Sequence, residues 1–233
     1  MRVIEAPSPN HEPRAAGVPL DTVVVHYTGM PTAAQAIDRL RDPAAKVSAH
    51  YLIETGGRVL RLVPEGRRAW HAGVACWQGL SDINSRSIGI ELVNRGHAWG
   101  YHPFPESQLE SLRVLLADIL ARYGIPPARV LGHSDVAPER KTDPGELFPW
   151  RTLAAHGLAV WPDPVQPPAE TPPVAWFQAR LAAVGYCTPQ SGRLDDATAA
   201  VLAAFQRRFR PKAVTAAPDT GTAARLMGLT ASA

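Results

Sequence analysis

Residues 22–27 read TVVVHY and residues 87–93 read SIGIELV. The first is a β-branched apolar run that ends on a histidine, as a buried strand does when it delivers a side chain to a sheet edge. The second alternates and reads as another strand. It carries one carboxylate, Glu91, between the apolar Ile90 and Leu92. Working outward, Thr32–Leu40 predicts a short helix. Tyr51–Glu54 and Arg58–Val63 flank Thr55-Gly56-Gly57 and predict a hairpin. Leu109, Leu112, Leu115, Leu116, Ile119 and Leu120 recur at helical spacing up to Tyr123-Gly124, before Pro126-Pro127. Arg129–Gly132 is a short apolar run leading into His133. The region mixes strands and helices.

The chain has 233 residues, 45% hydrophobic and 19% charged, which suits a globular protein and not a disordered one. Residues 162–173, PDPVQPPAETPP, form an extended, semi-rigid spacer. The expected organisation is a domain over 1–161, this linker, and a small helical domain over 174–233. In the tail, Val174, Phe177, Leu181 and Val184 share one helix face and Val201, Leu202, Phe205 and Phe209 another. Asp195 and Asp219 each stand three residues before a threonine, placed to cap a helix. The tail holds seven Lys/Arg against three Asp/Glu, which favours an anionic partner. Arg207, Arg208, Arg210 and Lys212 cluster there and read first as a solvated face; as a nucleic-acid site they would need a steep salt dependence, and carboxylate-bearing fragments are the better partner.

No stretch approaches the about 20 apolar residues of a membrane-spanning helix. The opening segment, MRVIEAPSPNHEPR, lacks the roughly 7–15-residue apolar core of a secretory signal. Two cysteines, Cys76 and Cys187, make no disulfide framework. The expected compartment is the cytoplasm, or the periplasm if an upstream signal has been removed.

Two of the eight histidines stand out by position. His26 ends the VVV strand, and His133 follows an apolar run between Gly132 and Ser134. Asp143 lies ten residues further on, in the turn-rich segment Lys141-Thr142-Asp143-Pro144-Gly145. Two imidazoles and a carboxylate suit a catalytic zinc site, whose fourth position is left to water. Glu91, in an apolar strand, faces either a polar cavity as a general base or solvent as an ordinary strand residue. Lys141 is either an oxyanion stabiliser or a solvated loop lysine.

The segments VVVHYTGM (23–30), VSAHYLIE (47–54), AWHAGVACWQG (69–79), NSRSIGIELVN (84–94) and GHSDVAPERKTDPGELFPW (132–150) together resemble the zinc-dependent N-acetylmuramoyl-L-alanine amidases of the AmpD/AmiD type, the amidase type 2 class. The resemblance implies an α/β fold, a mixed central β-sheet flanked by helices as in peptidoglycan-recognition proteins. It implies one Zn2+ per chain on His26, His133 and Asp143, with Glu91 catalytic and Lys141 assisting. The reaction implied is hydrolysis of the amide between N-acetylmuramic acid, or its anhydro form, and the L-alanine of the stem peptide, in peptidoglycan recycling or turnover. Residues 174–233 resemble a three-helix peptidoglycan-binding domain, an order that points to the AmiD branch. Where the family has Asn-Asp-x-Ser, this chain has Asn84-Ser85-Arg86-Ser87. The expected substrate contacts are His50, Trp70, His71, Trp77, Asn84 and Arg86. The expected partners are muropeptides, with no nucleic acid and no membrane span, and a monomer is assumed. The alternative is a non-catalytic recognition protein of the same fold.

Overall fold

The computed structural model describes residues 2–230. Two compact units emerge, Met1–Gly73 with Asp82–Gly132, and Val74–Ser81 with His133–Ala233.

The first unit is built on a six-stranded sheet. Its strands are β1 (Val3–Glu5), β3 (Thr22–Tyr27), β4 (Tyr51–Ile53), β5 (Val59–Arg61), β7 (Ser87–Leu92) and β8 (Val130–Gly132), in the order β1-β5-β4-β7-β3-β8. Only the β4–β5 hairpin is antiparallel, as its Thr55-Gly56-Gly57 turn requires. β3 lies between β7 and β8, parallel to both, and Val23, Val24 and Val25 are fully buried. Parallel strands covered on both faces read as continuous apolar runs, which explains VVV. A small second sheet pairs β2 (His11–Pro13) with β6 (Arg67–Ala69). The helices are α1 (Ala33–Arg41), whose N-cap Thr32 accepts the Gln35 N–H, the short α2 (Ile83–Arg86), and α3 (Glu106–Tyr123). α3 buries the predicted leucine face and ends on Gly124 in the left-handed region. Its buried Gln108 donates from Nε2 to the carbonyls of Ile53 (2.8 Å), the last residue of β4, and of Val93 (3.1 Å), the first residue past β7.

The second unit holds α4 (His133–Val136), α5 (Trp150–Ala155), α6 (Val174–Val184), α7 (Asp196–Phe209) and α8 (Thr220–Thr230). Asp195 caps α7 by accepting the Thr198 N–H (2.9 Å), and Asp219 accepts that of Thr222 (2.7 Å), as the sequence echo predicts. Phe177, Leu181, Leu202, Phe205 and Leu226 are fully buried between the tail helices.

Two expectations are corrected here. Cys76 and Cys187 form a disulfide across 111 residues of sequence. Sequence distance hid the pairing; beside it Trp77 bridges to Tyr186, and the Gln78 N–H donates to the Gly185 carbonyl (2.7 Å). Gly185 has φ +131°, and a Cβ there would lie 2.5 Å from the Trp77 ring, so only glycine fits. The Arg207–Lys212 cluster is not uniformly solvated either. Arg208 is 3% exposed, donating to Asp135 (2.6 Å) and lying 4.1 Å from the Trp150 ring centroid.

Candidate active site

The sheet register determines which side chains meet. Across parallel strands, residues in register project to the same face. His26 of β3 stands opposite Glu91 of β7. Val25 stands opposite Gly132 of β8, so the next residue along each chain is a histidine, His26 and His133. One row at the carboxyl ends of three strands therefore carries two imidazoles and a carboxylate. Ligand sites of open α/β sheets lie outside that edge.

His133 opens α4, and the loop behind it curls so that the Ser134 N–H donates to the Asp143 carbonyl (2.8 Å). This brings the Asp143 carboxylate 3.1 Å from His133 Nδ1. One ligand atom from each of His26, His133 and Asp143 lies within 4.8 Å of the others, and all three residues are buried. Two imidazoles and one carboxylate, desolvated and converging, are the donor set of a hydrolytic divalent-metal site with an open position. The residues fit the ion.

The half-buried Glu91 comes to this site from β7, and Lys141 stands two residues before Asp143, its own N–H bonded to the Ala137 carbonyl (3.0 Å). His71 joins them: its Nδ1 is 3.1 Å from His26 Nε2 and its Nε2 is 3.2 Å from the Ser87 hydroxyl. The ring lies over Gly89, where a Cβ would sit 2.5 Å from it. The glycine of SIGIEL thus makes room for a histidine beside the site.

Of the six expected substrate contacts, Trp70 is half-buried and the other five are buried. Asn84 Oδ1 accepts the N–H groups of His71 (3.1 Å) and Ala72 (2.8 Å) and so positions the His71 loop. Arg86 is paired with Asp21 through two bonds (3.0 and 2.5 Å). His50 is fully buried; its Nδ1 accepts the Gly89 N–H (2.9 Å), and Nε2 faces the Arg67 carbonyl (3.0 Å). Burial and the neighbouring Arg14 guanidinium push its pKa down to about 3, so the ring is neutral. Trp77 packs edge-on against Tyr186. For His50, Trp77, Asn84 and Arg86 these internal partners argue for positioning in place of substrate contact. Trp70 donates from Nε1 to Glu12 (3.2 Å).

Sequence reading missed Asp135, two residues after His133. It is 1% exposed and accepts from the Tyr186 hydroxyl (2.6 Å) and from Arg208 (2.6 Å). The turn bearing His133 is anchored to the tail helices. No local pattern could have paired Asp135 with an arginine 73 residues away.

Comparison with known proteins agrees with this geometry. Residues 16–146 match the N-acetylmuramoyl-L-alanine amidase model, and residues 170–226 a putative peptidoglycan binding domain. The chain belongs to the N-acetylmuramoyl-L-alanine amidases. It is 36% identical to the Escherichia coli amidase AmiD, over 91% of this chain and 82% of that protein. It is 37% identical to the Enterobacter cloacae 1,6-anhydro-N-acetylmuramyl-L-alanine amidase AmpD, over 64% of this chain and 87% of that one. The structure of E. coli AmiD with anhydro-N-acetylmuramic acid-L-Ala-D-gamma-Glu-L-Lys superposes with a TM-score of 0.84, covering 93% of this chain and 91% of that one. Pseudomonas aeruginosa AmpDh3 with anhydromuramic pentapeptide gives a TM-score of 0.81 at 33% identity, covering 94% of each. As an amidase of this family, the chain hydrolyses the bond between N-acetylmuramic acid and L-alanine in muropeptides. Among the described residues no helix is long and apolar enough to cross a membrane.

Proposed function

We propose that the chain is a zinc amidase that cleaves anhydro-muropeptides, with His26, His133 and Asp143 holding one Zn2+. The observation that carries this is the convergence of those three donors in register with Glu91. A bound Zn2+ would supply Lewis acidity and lower the pKa of water towards about 7. Glu91 accepts the proton of the attacking water and passes it to the departing L-alanine nitrogen. Lys141 stabilises the charge that develops on the lactyl carbonyl oxygen. His71 supports His26 from the side. Residues 1–161 form the catalytic domain, 162–173 the spacer and 174–233 the wall-binding domain. The anhydro-sugar preference is supported by the ligands named for the AmiD and AmpDh3 structures.

The Cys76–Cys187 bond supports work in an oxidising compartment, because cytosolic thiols are kept reduced. This favours the periplasmic alternative over the cytoplasmic expectation, which rested on the opening residues and the cysteine count. Fractionation of cells carrying the untagged protein tests the compartment. Release of free stem peptide from a purified anhydro-muropeptide tests the activity. A chelator abolishes it and added Zn2+ restores it; release that survives metal removal contradicts the assignment.

A further inference from the structure

The second unit contains a cleft whose lining includes none of the three metal donors. Residues 146–151 and Trp161, with residues 208–213 and Arg225, enclose about 660 Å³, within the roughly 300–1,000 Å³ of small-ligand sites. Trp161 and Phe209 form an aromatic wall, with ring centroids 5.9 Å apart. Five cations line the cleft, but two are neutralised by the fold: Arg208 is bonded to Asp135 and Arg210 to Asp219. Arg151 and Lys212 are exposed and make no salt bridge among the described residues. Arg225 lies 5.6 Å from the Trp161 ring centroid, a cation–π contact that brings no opposite charge. Glu146 is the one acid among the lining residues. A net positive charge therefore remains beside an aromatic surface.

Such a cleft takes a ligand that combines C–H faces with carboxylates. The amidase reaction manufactures one. Each hydrolysis breaks the lactyl C–N bond and forms a C–O bond from water; the amine leaves with a proton, and a lactyl carboxylate stays on the sugar. A glycan strand stripped of its stems is thus a polymer of apolar sugar faces with one carboxylate per muramic acid. We infer that this cleft binds stem-free glycan through Arg151, Lys212 and Arg225, with a sugar face on Trp161. The inference rests on the amidase reading, since it takes the product polymer as the ligand. Its consequence is retention of the enzyme on strands already cut.

The test is equilibrium binding of the full-length zinc-loaded protein to soluble, stem-free glycan strands. The comparison probe is the same strands with their lactyl carboxylates reduced to primary alcohols. Neither probe contains a bond the enzyme cuts. Loss of charge-assisted bonds predicts affinity about tenfold or more weaker for the reduced strands, and similarly for Arg151→Glu/Lys212→Glu and for Trp161→Ala on the unmodified strands. Thermal midpoints of the variants are measured alongside to show that they fold. Equal binding of the two probes by the wild type, which needs no variant, overturns the inference, as does a double variant that folds and binds normally. A chain that releases stem peptides but ignores stem-free strands keeps the amidase reading and loses the cleft. A chain that binds strands through these residues but cuts no muropeptide keeps the cleft and loses the amidase reading.

Discussion

Glu91 and Gly89 stand two residues apart on β7, and the strand gives them one face and two tasks. With Glu91 proposed to move the proton, Glu91→Gln is expected to bind zinc as the wild type does and lose about 10²- to 10⁴-fold in kcat; metal analysis alongside kinetics checks both halves. Gly89 yields its side-chain volume to His71, and Gly89→Ala forces the ring away from His26. The expected outcome is a stability loss on the order of 1–3 kcal/mol with lowered activity, read by urea unfolding and peptide release. His50 gives a pH signature. Its pKa is about 3 in the folded protein against an ordinary 6.5, so the unfolded chain binds the proton more readily. That contribution to stability is complete above about pH 6.5 and is lost as pH falls towards 3, at up to about 1.4 kcal/mol per pH unit. His50→Gln keeps an acceptor for the Gly89 N–H, and its stability is expected to fall less than that of the wild type between pH 7 and pH 5. Chain position alone marked out His26, Glu91, His133 and Asp143. The burial that ties His50, Asn84 and Arg86 to internal partners was not visible, because a one-dimensional pattern does not show what stands across the sheet.

The four-residue turn α4 shows how an element can depend on distant sequence. Asp135 anchors it by accepting from Tyr186 and Arg208, both buried and both in the tail. Arg208→Met strands a buried carboxylate and is expected to cost on the order of 3–5 kcal/mol. The loosened turn also weakens zinc binding by about tenfold or more, as loss of a supporting contact does. Competition with a chromophoric chelator reads the affinity and urea unfolding the stability. Asp135→Leu/Arg208→Met removes both charges but leaves the buried Tyr186 hydroxyl without its acceptor, so it is expected to recover part of the stability without recovering zinc affinity. Long elements were legible: α3 announced itself by leucine spacing and its Gly124 stop, and β3 by its β-branched run. β1, β2 and β6 were not read, because their residues are mostly exposed or half-buried and no apolar run marks them, whereas the equally short β4, β5 and β8 are mostly apolar and buried.

At the scale of the molecule, the disulfide joins the 74–81 segment to the tail within the second unit. Closing a loop of this length restricts the unfolded chain, and reduction is expected to lower stability by about 2–4 kcal/mol, seen as a lower thermal midpoint in reductant that Cys76→Ser reproduces. Neither cysteine lies near the other in sequence, so composition alone argued against the bond. The proposed boundary at residues 162–173 rests on the proline run, because proline both stops helices and stiffens a spacer. The central claim is that His26, His133 and Asp143 hold the ion on which hydrolysis depends. The direct measurement is zinc content and stem-peptide release on the same samples of wild type and His133→Ala. Near-stoichiometric zinc and rapid release in the wild type, with both lost together in the variant, is the predicted result; a His133→Ala chain that remains folded and still releases peptide without zinc contradicts the account.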